Sequence, residues 1–173
     1  MVHKANILKC TSGLFLEIGR DIAKKYPDIE FDDKIVDACA MRMVMDPSEF
    51  DVLVTTNLFG DILSDLAAGL IGGLGLTAGA NIGISAALFE AVHGSAPDIA
   101  DKGIANPTAT IMAGAMMLEH LGEVAAARKI ERAVRAVIKS GDRVTPDLKK
   151  GSPYGTKDIA QAIVEQVLTD DQP

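Results

Sequence analysis

Tryptophan is absent from this 173-residue chain, aromatic residues make up 4% of it, and only two cysteines occur, Cys10 and Cys39. With so few rings, the core must be built from small aliphatic side chains, and 48% hydrophobic residues are enough of them to exclude a disordered chain. The length suits a sizeable buried core. The two cysteines lie far apart, without the spacing of a zinc site or a CxxC redox pair, which points to free thiols in a reducing cytoplasm. A basic surplus is missing too. The formal charge of −7 leaves nothing to displace counterions, which excludes nucleic acid and anionic membrane as partners. Nor is there a long apolar run. The stretch around Leu66–Leu76 is interrupted by glycine and too short to span a bilayer. The opening MVHKANILKC lacks the apolar core of a signal peptide.

What is present alternates between two periodicities. Thr11–Tyr26 carries Leu14, Phe15, Ile18 and Ile22 at helical spacing and stops at Pro27. Ile29–Val36 reads as a strand, Ala38–Met45 as a short helix halted by Asp46-Pro47, and Phe50–Thr56 as a brief buried strand. A helix then opens near Gly60, and glycines at 69, 72, 73, 75 and 79 loosen its end. Ala87–Val92 is the next strand, followed by a loop over His93–Ala105. Asn106-Pro107 caps a helix to Gly122, and amphipathic helices cover Glu123–Lys139 and, after Thr156, the stretch to Leu168. Val2–Leu8 reads as a strand that begins without a preceding loop, as if cut from something longer. The alternation predicts an α/β fold, a parallel or mixed sheet flanked by helices.

Asp61 and Asp65 pose the sharpest chemical question. They stand four residues apart in NLFGDILSDLAAGL, on one face of the expected helix. Like charges at that spacing repel by a few tenths of a kcal/mol. Asp65 also sits among Ile62, Leu63, Leu66 and Ala67, where a bare carboxylate is costly. Two acids on one helical face suit Mg²⁺ or Mn²⁺, hard cations that complete their shell with water and substrate oxygens. The plainer alternative is an N-terminal charge plus a solvated acid. Asp37 reads either as a further acid or as a helix N-cap, and Lys4 as an edge lysine or a functional one. The loop EAVHGSAPDIADKGIANP gathers small residues, His93, Asp98 and Asn106, yet contains no GxGxxG turn, so it is not in itself a Rossmann signature.

Taken together, the runs VHKANILK, VDACAM, FDVLVTTNLFGDILSDLAAGLIGGLGL, FEAVHGSAPDIADKGIANPTATIMAGAMMLEHLG and TPDL closely resemble the β-decarboxylating dehydrogenases, the family of isocitrate, homoisocitrate and 3-isopropylmalate dehydrogenases. HKANI, GLFL and AGLIGGLGLT look most like the NAD-dependent isocitrate enzymes. The resemblance implies a partial fold of that family, with residues 1–66 in its small domain for dimerisation, metal and substrate, 67–173 in its large cofactor-binding domain, and helices for a dimer-interface bundle. It implies a metal site of Asp61 and Asp65 from one subunit with Asp37 from its neighbour. Lys4 matches the proton-transfer lysine that enters from the neighbour, with Asn6 beside substrate and nicotinamide. Glu90 lies at the nicotinamide end, and His93, Gly94, Ser95, Ala96, Ile99, Asn106 and Asp147 match positions around adenosine. Asp98 matches the position that separates NAD from NADP, where a carboxylate accepts from both ribose hydroxyls and disfavours a 2′-phosphate by on the order of 1 kcal/mol or more.

The implied activity is oxidative decarboxylation of a 2-hydroxy di- or tricarboxylic acid with NAD and Mg²⁺ or Mn²⁺, isocitrate first, with 3-isopropylmalate or homoisocitrate as alternative substrates. The family's substrate-gripping arginines belong to a first half that these runs do not include, so the chain is expected to be inactive alone. It would pair as a homodimer or with a complementary N-terminal half. A catalytically silent NAD-binding or dimerising module is the other reading. Asp101 stands where the family usually has glycine, and Lys149-Lys150 where it usually has two.

Overall fold

The computed structural model describes residues 1–169, which fall into two units divided between Leu70 and Ile71. The first contains β1 (Val2–His3), α1 (Thr11–Ala23), β2 (Lys34–Ile35), α2 (Val36–Met45) and α3 (Asn57–Leu70). β1 and β2 run parallel, with Val2 opposite Lys34 and His3 opposite Ile35. The Lys34 N–H donates to the Met1 carbonyl at 2.9 Å, and the Val2 N–H to the Val54 carbonyl at 2.8 Å. Around this short pair, Val2, Cys39, Met43 and Leu63 form the buried centre, with Phe50, Leu53 and Leu66 packed against it. Cys39 lies in that centre, where burial pushes its thiol above the usual range, whereas Cys10 is exposed. α1 ends at Ala23, short of Pro27, which disfavours helical backbone at Tyr26.

The second unit contains β3 (Ala78–Ile82), β4 (Ala87–Ala91), α4 (Thr108–His120), α5 (Val124–Ser140) and α6 (Thr156–Thr169). β3 and β4 form an antiparallel hairpin in which Ala78 faces Ala91 and Ile82 faces Ala87. α4 packs on the hairpin and on α5, and α5 packs in turn on α6. α4 is apolar on nearly every side, with Ala109, Ala113 and Ala115 buried, as a helix covered on two faces must be. The core joins Ala133, Val134 and Val137 of α5 to Ile159, Ala162 and Ile163 of α6, with Val144 between.

The α/β class and the helices are as the sequence predicts, within a few residues at their ends, but the strands differ. Of Val2–Leu8 only Val2–His3 is strand, and of Ile29–Val36 only Lys34–Ile35. Phe50–Thr56 is no strand at all, and Val52 is 77% exposed. β-branched composition makes a segment fit for a sheet, but strand assignment needs a ladder partner, and among the described residues the Val54 carbonyl, which accepts from the Val2 N–H, gives this segment its one backbone bond to a strand. Conversely, β3 occupies part of the glycine-rich run that the sequence reading leaves as a loosened helix end. The hairpin partner, not the residues' own propensity, makes it a strand. The sheet is accordingly two separate two-stranded ladders, one parallel and one antiparallel. Residues 170–173 of the expected second domain lie outside the described residues.

Candidate functional site

In the first unit, the end of β1 delivers Lys4 beside the start of α2. Because His3 pairs with Ile35, the next residue lies alongside the first turn of α2, and the Lys4 ammonium forms an ion pair with Asp37 there. That hydrogen bond holds the Asp37 carboxyl below the usual carboxylate range. Asp37 sits inside α2, where Ile35 is the N-cap, so it is not the capping residue. Asn6, in the turn that follows β1, is exposed.

α3 begins at Asn57, so Asp61 lies in its second turn and Asp65 one turn further on. Both are exposed, and neither carboxylate has a hydrogen bond or ion pair among the described residues. The burial expected of Asp65 therefore does not hold: Leu63 and Ala68 take the inward positions of α3, leaving the acids outside. Two partnerless carboxylates one turn apart supply hard oxygen donors on one face, which fits a divalent cation such as Mg²⁺ or Mn²⁺. Among the described residues, no third His, Cys, Asp or Glu joins them, Asp37 included.

The second unit gathers the other predicted residues. Glu90, in β4, accepts a hydrogen bond from the Asn81 amide at 3.0 Å, from the neighbouring strand. His93 Nδ1 lies 3.0 Å from the Gly94 carbonyl. Ser95 and Gly94 are exposed, Ala96 takes left-handed backbone with φ 42°, and Pro97–Ile99 form a single tight turn that presents an exposed Asp98. Asp101 has φ 60°, the conformation in which glycine carries no strain. Asn106 donates to the Asp147 carboxylate at 3.0 Å and accepts from the Thr108 N–H at 3.0 Å, which starts α4. Gly75 approaches the same pair so closely that a Cβ there would lie 3.1 Å from Asn106 Cβ and 3.2 Å from Asp147 Oδ2. Asn106, Asp147 and Gly75 thus make one locked corner. Sequence reasoning missed Asn81 and Gly75. The signal for Asn81 lay in the hairpin register, which appears only once β3 is known, and that for Gly75 in its contact with Asn106 and Asp147, which folding alone creates.

The isocitrate/isopropylmalate dehydrogenase family model matches residues 1–163. The chain belongs to this family. It is 58% identical over 165 residues to the isocitrate/homoisocitrate dehydrogenase of Thermus thermophilus, which covers 95% of this chain and 48% of that protein. To the 3-isopropylmalate dehydrogenase of Archaeoglobus fulgidus it is 58% identical over 162 residues, covering 94% and 49%. The solved structure of isocitrate dehydrogenase from Methylococcus capsulatus superposes with a TM-score of 0.91 at 83% identity, over 96% of this chain and 49% of that one. The chain spans about half the length of the curated relatives it matches. Among the described residues, no helix is long and apolar enough to cross a membrane.

Proposed function

We propose that the chain is the metal- and NAD-binding part of a decarboxylating 2-hydroxy acid dehydrogenase, acting on isocitrate. The reaction converts the hydroxy acid and NAD⁺ into a 2-oxo acid, CO₂ and NADH. When bound, the divalent cation supplies electrophilic activation of the substrate oxygens, and NAD⁺ accepts the hydride. Asp61 and Asp65 hold the cation from one face, and Asp37 contributes from a second copy of the chain. Lys4 moves a proton at Nζ, with Asn6 next to substrate and nicotinamide. In the second unit, Glu90 faces the nicotinamide end. Asp98, exposed and free of hydrogen bonds among the described residues, accepts from the ribose hydroxyls and selects NAD. Asn106 and Asp147, with His93, Gly94, Ser95, Ala96 and Ile99, surround the adenosine. The first unit is then the dimer- and metal-forming part, and the second the cofactor-binding part. The free thiols suit a reducing cytoplasm. Isocitrate is favoured by HKANI, GLFL and AGLIGGLGLT and by the likeness to the Methylococcus enzyme.

The observation that carries this reading is the partnerless carboxylate pair of α3. Calorimetric titration with Mn²⁺ tests it: Asp61→Asn and Asp65→Asn should each raise the dissociation constant at least tenfold. Unchanged affinity in both variants refutes the reading. Binding of Mn²⁺ and NAD⁺ without NADH formation from isocitrate once a complementary N-terminal half is supplied identifies the chain as the silent module instead.

A further inference from the structure

β1 is only two residues long, and its ladder with β2 stops at His3 and Ile35, one residue short of Lys4. No strand pairing therefore holds the backbone that aims the lysine. What replaces it is the side chain immediately before. His3 is 5% exposed, and its Nδ1 accepts from the Ala5 N–H at 3.0 Å, reaching across Lys4 to the far side. With Nδ1 occupied as an acceptor, the ring proton sits on Nε2, which donates to Asp33 Oδ2 at 3.1 Å. Asp33 is anchored in turn by Arg20, whose Nε and Nη2 donate to Oδ1 at 3.2 and 2.8 Å. The Lys4 carbonyl accepts from the Ile7 and Leu8 amides at 3.0 and 2.8 Å, closing the following turn. The peptide group that follows Lys4 is thus held at both its N–H and its carbonyl, just before the side chain that meets Asp37.

We infer that His3 is a positioning residue for Lys4: its imidazole extends the β1 ladder by one residue and sets the direction from which the ammonium meets Asp37. This rests on the proposed roles of Lys4 and Asp37, but the clamp itself is a matter of geometry and is tested without turnover. Arg20 and Asp33 set the ring plane, so the two nitrogens do separate work. Nδ1 holds the backbone around Lys4, and Nε2 holds the ring.

Two replacements divide those tasks in the isotopically labelled chain. H3N keeps an acceptor near the position of Nδ1, and H3Q keeps a donor near that of Nε2. With H3N, hydrogen exchange at the Ala5 amide should stay within about twofold of wild type, with the Lys4–Asp37 side-chain cross-peaks retained. With H3Q, the Ala5 amide should exchange at least tenfold faster and the cross-peaks should fade. The Lys34 amide, in the ladder, should hold in both. Retention of Ala5 protection and of the cross-peaks in H3Q overturns the inference, as does their loss in H3N. Loss of Lys34 protection alongside Ala5 in H3Q also overturns it, because His3 would then support the whole unit and not Lys4 in particular. K4M separates the two ideas. It should leave Ala5 exchange unchanged, and unchanged turnover by K4M in an active assembly would end the proposed role of Lys4 while leaving the clamp intact.

Discussion

Asp33 accepts hydrogen bonds from a half-exposed guanidinium and a buried imidazole, and that environment gives it a pH signature. Partial burial alone raises the carboxyl, but the bonds from Arg20 and His3 outweigh it, so Asp33 lies below the ordinary carboxylate range when folded. A carboxyl whose folded pKa is depressed adds stability that is complete above its unfolded value, about 3.9, and is lost as pH falls through the folded value. Asp33→Asn should therefore lower the stability of the first unit at neutral pH and flatten its decline below about pH 4, as acid-titrated urea melts would show. An equally steep decline in the variant would mean that other carboxylates carry it. At this scale the sequence revealed residues whose chemistry is anomalous for their neighbours, such as Asp61 and Asp65. It did not reveal the Arg20–Asp33–His3 chain, because each member is unremarkable alone and the link is made by folding.

The elements were legible in proportion to how local their causes are. A helix satisfies its own backbone, so Thr11–Ala23 and Val124–Ser140 could be read from spacing and stop signals. Strands depend on a partner. Ala78–Ile82 was hidden by its glycine and alanine content, and Phe50–Thr56 was misread because nothing among the described residues pairs along it. The same contrast between local and tertiary causes separates two glycines. Gly155 lies so close to the Gly103 carbonyl oxygen that a Cβ would overlap it, and the adjacent Thr156 N–H donates to that oxygen at 2.8 Å. Gly155→Ala should destabilise the second unit by about 1–3 kcal/mol, the usual cost of overpacking. Gly114, inside α4, faces no such obstacle, because nothing lies within 4 Å of the place a Cβ would take. Gly114→Ala should stabilise by about 0.5–1 kcal/mol through helix propensity and backbone entropy. Urea denaturation of the two variants would decide both, and opposite signs are the essential result.

Across the molecule, apolar side chains lie outward in groups. α2 exposes Met41, Val44 and Met45, and α3 exposes Leu58 and Ile62. In the same unit, a groove of about 900 Å³ runs between α1 and the residues around Phe31 and Val52. Exposed apolar groups of this kind are candidate protein-binding surfaces. The proposed site calls for a dimer built on α2 and α3, with Asp37 of one copy beside the acids of another. Sedimentation equilibrium at micromolar concentration should show self-association, and Ile62→Glu should weaken it at least tenfold. Mass independent of concentration in the wild-type chain would exclude that interface. The placement of the two thiols has a separate use. Cys10 is open to solvent, Cys39 is sealed in the centre of the first unit, and the second unit has no cysteine. A pulse of alkylating reagent should therefore modify Cys10 at once and Cys39 only in molecules whose first unit has opened. The ratio of singly to doubly labelled chain is a built-in clock for the opening of one half of the molecule, silent about the other.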